Sequence, residues 1–252
     1  MSSKLYCGNS EVIQEGESAG NLLNSDVKLF KIVLSDYYKV IDALSNSLTI
    51  AEKERAERYR QTKDKNRFIV SRSLLKHLLA EESGADIAKI TLEKHTNHKP
   101  YLPSDKSLHF NVSHAGDIAL IAISKYEIGV DIEFIDNEFN YTEILPTVFS
   151  KEEIKLIHES KNKRHSFYKF WTRKEAIVKA IGRGIDDALI KIPVINQLHT
   201  VPLNLMAGYD IVRVLSFDIS ENYVASLAVC APIYDFHNLH IHEAPIAEEF
   251  LV

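Results

Sequence analysis

The sequence predicts an α+β fold of two similar lobes in a pseudo-twofold arrangement, with the active site in the cleft between them. Three observations predict it. Each half carries a long helical segment rich in aromatics and cations, followed by an antiparallel pair of strands. The segments RFIVSRSLLKHLL and FYKFWTRKEAIVKA can be laid over each other. The chain of 252 residues, 45% hydrophobic and 26% charged, suits one large domain or two modest ones. The expected division is 1–126 and 127–252, with the polar segment Lys125 to Glu127 as hinge.

In chain order, Met1 to about Asp26 is polar and without period, and reads as an irregular lead-in. Val27 to Leu34 reads as a strand and Tyr37 to Ala43 as helical. Thr49 with Glu52 three residues on has capping-box spacing. A helix from about Lys65 to Glu82 buries Phe68, Leu74, Leu75, Leu78 and Leu79 and ends near Gly84. Leu108 to Val112 and Ile118 to Ser124 form a hairpin whose turn, Ser113 to Asp117, puts His114 at a strand end. In Ile128 to Phe134, alternation sets Asp131 and Glu133 on one face and Val130, Ile132 and Phe134 on the other. Adjacent carboxylates on one strand face repel, and need solvent, cations or a shared metal. Ser150 and Glu153 repeat the capping-box spacing. Strands follow at Asp210 to Phe217 and Tyr223 to Cys230, and the tail from Pro232 is irregular or a peripheral strand.

The stretch Phe167 to Gly184 gathers the rest. Phe167, Phe170, Trp171, Ile177, Val178 and Ile181 make one apolar stripe, interrupted by Lys174. An unpaired ammonium in such a stripe is costly. Glu175 and Lys179 lie one turn apart beside it, where a plain surface ion pair is the structural alternative.

Composition excludes several classes. A net charge of −5 argues against a nucleic-acid binder, so any anion site is a local cluster of cations. No CxxC pair or Cys/His spacing suggests zinc. No signal-like or membrane-length apolar run occurs, so a cytoplasmic protein without membrane contact is expected. Neither GxxxxGK[ST] nor GxGxxG is present. Asp131, Glu133 and Glu175 are hard oxygen donors that suit Mg²⁺, with Mn²⁺ as an alternative. Lys174, Lys179, His114 and some of Arg55, Arg58, Arg67 and Arg72 around them would suit a diphosphate.

Three segments carry a resemblance: FNVSH (Phe110–His114), GVDIE (Gly129–Glu133) and FYKFWTRKEAIVKAIGRG (Phe167–Gly184). In this order and at these separations they resemble the 4′-phosphopantetheinyl transferases of the surfactin-synthetase type. LTIAEKERAERYRQTKDKNRFIVSRSLLKHLL, HKPYLP and YVASLAVCA are similar to further segments of that family, so the resemblance covers roughly Leu48 to Ala231. It implies transfer of phosphopantetheine from coenzyme A to a serine of an apo acyl-, peptidyl- or aryl-carrier protein, releasing adenosine 3′,5′-bisphosphate. Asp131, Glu133 and Glu175 would hold Mg²⁺, with Glu175 also the base. Lys174 and Lys179 would neutralise the phosphates. Arg55, Arg67 and His114 would meet the 3′-phosphate with Ser113 close by, and Lys99 would lie near the nucleotide.

The chain departs from the family pattern ahead of the first arginine, where relatives often have lysine and this chain has Glu52 followed by Lys53. It departs again at HKP in place of the commoner GKP, which adds His98, a residue whose role the family pattern does not supply. A monomer suffices for such a design. The loop residues Phe139, Tyr141, Ile144 and Leu145 form a carrier-docking patch or fold into the core. The competing readings are a non-catalytic coenzyme-A-binding module and a metal-dependent phosphodiesterase.

Overall fold

Both capping boxes form. Thr49 Oγ1 accepts from the Glu52 amide at 3.3 Å, and Glu52 Oε2 accepts from the Thr49 amide at 3.0 Å. Ser150 and Glu153 do the same at 3.3 and 2.8 Å. Each pair satisfies amides that a helix start leaves open. The computed structural model describes residues 1–14, 26–184, 186–231 and 238–251.

The helices are α1 (Ile41–Ser45), α2 (Ile50–Glu57), α3 (Thr62–Ser83), α4 (Leu145–Val148), α5 (Lys151–Glu159) and α6 (Lys163–Ala180). The strands of the first half are β1 (Ser2–Asn9), β2 (Glu11–Gln14), β3 (Val27–Val33), β4 (Glu93–Lys94), β5 (Pro100–Tyr101), β6 (His109–Ala115) and β7 (Ile118–Ser124). Those of the second are β8 (Ile128–Phe134), β9 (Gln197–Pro202), β10 (Ile211–Ser220), β11 (Tyr223–Val229) and β12 (Asn238–Glu243). Among the described residues they form two five-stranded sheets, ordered β8-β11-β10-β1-β9 and β2-β12-β3-β7-β6, and the two-stranded ribbon β4-β5. The α+β class expected from the sequence is the class observed.

The start of the chain departs from expectation, and the tail forms the strand that was one of its two expected forms, though inside its sheet and not at the edge. Residues 2–9, read as an irregular lead-in, are a strand set between β10, to which it runs parallel, and β9, to which it runs antiparallel. Leu5 and Cys7 on it are buried. At the other end β12 lies parallel to β2 and β3. The first strand of the chain thus completes the sheet of the second half, and the last strand completes the sheet of the first.

α6 packs on β8, β11 and β10, and its Arg173 fastens it there although the residue is fully buried. The guanidinium donates to Ser216 Oγ (2.7 Å), Val194 O (2.6 Å), Gly8 O (2.6 Å) and Asn9 Oδ1 (2.8 Å). The approach of α6 to β8 is close enough that only glycine fits at 129: a Cβ there would lie 2.2 Å from Ala176 O and 2.3 Å from Ala180 N. This contact sets the height of Asp131, two residues along β8, against the last turns of α6.

β6 and β8 are the facing edges of the two sheets, and side chains join them where a backbone ladder does not. Asn111 Oδ1 accepts from the Val130 amide at 2.9 Å, and Ser113 Oγ donates to Asp131 Oδ1 at 3.0 Å. The site lies along this seam.

Candidate active site

Strand alternation, helical phase and the glycine contact bring Asp131, Glu133, Glu175 and Lys179 to one pocket of about 360 Å³, with Ser113, His114 and Trp171 in its wall. Asp131 and Glu175 are only 4% and 9% exposed. Lys179 Nζ lies 2.6 Å from Asp131 Oδ1 and 3.2 Å from Ser113 Oγ, and Trp171 Nε1–H donates to Glu133 Oε1 at 3.1 Å. One lysine does not balance three acids. Burial, and then the charge of Asp131, push Glu133 up to about 7, and the same two causes push Glu175 to about 7. Burial raises Asp131 too, against the opposing charge of Lys179. Asp131 Oδ2 and Glu175 Oε1 are buried without a hydrogen-bond partner. Buried oxygens are rarely left so, and a hard divalent cation is what would satisfy them.

Among the described residues, no three or more His, Cys, Asp or Glu side chains stand already gathered as metal ligands. The reason is electrostatic: like charges spread apart, Glu133 leans on Trp171, and Lys179 occupies one oxygen of Asp131. The donor set and the orphaned oxygens fit Mg²⁺; the shell itself would have to close around the ion.

His114, exposed at the end of β6, also lines two adjoining pockets. One, of about 310 Å³, is basic: Arg55, Arg67, Arg72, Lys94 and His98 surround Phe68 and Tyr59. The Arg55 guanidinium stacks 4.8 Å over the Phe68 ring, and Arg67 is held by Asp64 at 2.7 Å. The other, of about 450 Å³, is aromatic, walled by Phe134, Phe139, Ile144, Phe167, Tyr168 and Trp171. Cations, carboxylates and aromatics therefore follow one another along a single groove.

Two expected residues are elsewhere. Lys174, fully buried, donates to Leu189 O (3.1 Å) and Ile192 O (2.6 Å) and pairs with Glu153 at 3.2 Å. It is a structural lysine: about 100° of helix turn separates it from Glu175, which suffices to point it away from the pocket. Lys99 is likewise engaged, with Glu127 Oε2 (2.5 Å), Ile128 O (3.1 Å) and Ala180 O (2.9 Å), tying the Lys-Pro segment to β8 and the end of α6. Phe68, expected in the core, is half-buried and walls the basic pocket. Tyr141 and Leu145 fold into the core, whereas Phe139 is 41% exposed.

Sequence reasoning missed Lys94. The signal was indirect: the Lys-Pro segment pairs back on β4, which sets Lys94 across from Pro100. Glu52 is consumed by its capping box and by Arg72, at 3.5 Å, and Lys76, at 3.7 Å.

Known proteins match along the same stretches. Residues 37–126 match the N-terminal region of 4′-phosphopantetheinyl transferases, and residues 127–228 match the 4′-phosphopantetheinyl transferase superfamily. A 4′-phosphopantetheinyl transferase of Bacillus subtilis is 27% identical over 198 residues, 77% of this chain and 87% of the relative. The transferase Sfp of B. subtilis strain 168 is 27% identical over 188 residues, 73% and 82% of the two chains. HetI, a 4′-phosphopantetheinyl transferase of Nostoc sp., is 28% identical over 170 residues, 65% and 72%. The two matched regions abut at the turn before β8 and between them hold the whole groove, and the chain belongs to the 4′-phosphopantetheinyl transferase superfamily.

Proposed function

We propose that this chain transfers the 4′-phosphopantetheine group of coenzyme A to a serine hydroxyl of an apo carrier protein and releases adenosine 3′,5′-bisphosphate. The observation that supports it is the order of the groove: a basic pocket for the nucleotide, three carboxylates, two of them with an unpartnered buried oxygen, for a metal-bound diphosphate, then aromatic walls. In this reading Asp131, Glu133 and Glu175 hold Mg²⁺, which would supply positive charge to the diphosphate as its bridging bond breaks.

The chain's own residues do the rest. Arg55, Arg67 and His114 hold the nucleotide phosphate, and Lys179 meets charge on the diphosphate. Glu175 accepts the serine proton: the serine oxygen bonds to the phosphorus that carries pantetheine, and the bond to the departing nucleotide phosphate breaks. The carrier rests against Phe139 and Ile144 at the open end. The reading takes the chain as a cytoplasmic monomer; no helix among the described residues is long and apolar enough to cross a membrane.

Purified protein with Mg²⁺ and coenzyme A should add one phosphopantetheine to at least one of a panel of apo acyl-, peptidyl- and aryl-carrier proteins, read by intact mass. No added mass on any of them overturns the reading. Breakdown of coenzyme A without carrier would mark a phosphodiesterase instead. Coenzyme A binding indifferent to Mg²⁺ and to Glu175→Gln would mark a non-catalytic binder.

A further inference from the structure

His98 occupies the turn between β4 and β5 with a φ of 66°, left-handed backbone that glycine adopts freely and a side chain strains. Among the described residues the other non-glycine in this region is Ala207, which ends a short turn. The turn is held on several sides. The His98 amide donates to His95 O at 2.9 Å, and the Lys99 amide to Asn97 Oδ1 at 3.1 Å. The Asn97 side-chain amide donates to Gly182 O just beyond α6. The two imidazoles of the hairpin do different things: His95 stacks on Tyr101, ring centres 4.2 Å apart, while His98 is exposed and forms part of the wall of the basic pocket.

Packing gives no reason for a side chain at this strained place, because an exposed imidazole buries little. The pocket gives one. Among the described residues Arg55, Lys94 and His98 enter no ion pair, and the carboxylate in that wall, Asp64, is taken by Arg67. A cluster of cations and ring N–H groups with so few acids attracts an anion of more than one charge. Strain held at a position whose side chain faces such a pocket points to use of that side chain.

We propose that His98 is a nucleotide-binding residue of this chain: its imidazole donates a hydrogen bond to the 3′-phosphate of coenzyme A and selects for that phosphate. The proposal rests on the transferase reading for the identity of the nucleotide, and on the pocket geometry for the residue. His98→Gly removes the ring and relieves the backbone. His98→Asn keeps an N–H donor and tolerates the left-handed conformation.

Calorimetry with adenosine 3′,5′-bisphosphate and with adenosine 5′-monophosphate reads the pocket without any transfer. For His98→Gly the expected result is a Kd for the bisphosphate about tenfold weaker, the size of a lost hydrogen bond to a charged group. The Kd for the monophosphate should be unchanged and the unfolding midpoint no lower, with His98→Asn recovering part of the loss. An unchanged Kd for the bisphosphate overturns the proposal. Equal weakening of both nucleotides also overturns it, since His98 would then serve the base or the loop. The carrier-loading assay on the same samples separates the two readings. Loading without the nucleotide contrast discards His98 alone, and contrast without loading discards the transferase and leaves His98 standing.

Discussion

Two neighbouring residues of α6 carry buried charge in opposite styles. Around Lys174 every valence is filled: its ammonium has Glu153, Leu189 O and Ile192 O, and the second oxygen of Glu153 accepts from the Val194 amide at 2.9 Å. Around Glu175 valences are open: its Oε1 and Asp131 Oδ2 have no partner, and Glu133 and Glu175 are pushed up to about 7. A completed buried network holds structure, whereas an incomplete one is completed by a ligand. The difference teaches that burial of charge by itself does not mark a site; dissatisfaction does.

The widest test of that contrast is Glu175→Gln. Transfer to a carrier protein should fall by about two to four orders of magnitude, as for loss of a positioned base. The thermal midpoint should hold or rise, because a repelling acid has gone. Retained activity with lost stability would erase the distinction between the two clusters. Lys174→Met should do the reverse and cost about 3–5 kcal/mol in urea unfolding, the penalty for leaving a buried partner charge alone. Adding Glu153→Gln, which removes the lone charge and keeps an acceptor for the Ser150 amide but not for the Val194 amide, should recover part of it. A stable Lys174→Met that cannot bind coenzyme A would return this lysine to the phosphate.

A subtler effect follows from pH. Glu133 and Glu175 stand near 7 in the fold against an ordinary 4.5. As pH rises through that interval the unfolded chain gives up these protons first, so stability falls between about 4.5 and 7 and levels off above. Comparison with the Glu133→Gln, Glu175→Gln double variant isolates the effect in thermal melts. Mg²⁺ should raise the midpoint more at pH 8 than at pH 5, and a cation effect independent of pH would argue against carboxylate ligation. The smallest change expected is at the groove's open end. Phe139→Ser should raise KM for the carrier about three- to tenfold while coenzyme A affinity stays, as for one exposed interface aromatic. An unchanged KM would put the docking surface elsewhere.

Much of this was legible in the sequence where the signals are local. The capping boxes at Thr49 and Ser150, the hairpin of β6 and β7, the alternation of β8 and the helical phase of α6 each need only residues within a few positions of one another. The three acids and Lys179 were therefore readable, and so was their convergence once three motifs were taken together. β1 was not readable. Its partners lie at Gln197–Pro202 and Ile211–Ser216, so no turn announces it.

The sequence by itself determined which residues could carry the chemistry: two acids on one strand face, one acid and one lysine a turn apart on a helix, and histidine at a hairpin end. Only the tertiary structure decided which cations serve the groove. Lys174 and Lys99 were claimed by Glu153, Glu127 and open carbonyls, while Lys94 and His98 were delivered to the pocket by a two-stranded ribbon. The reason is that spacing along a chain sets the direction of a side chain, whereas the partner it meets there depends on segments far away in sequence.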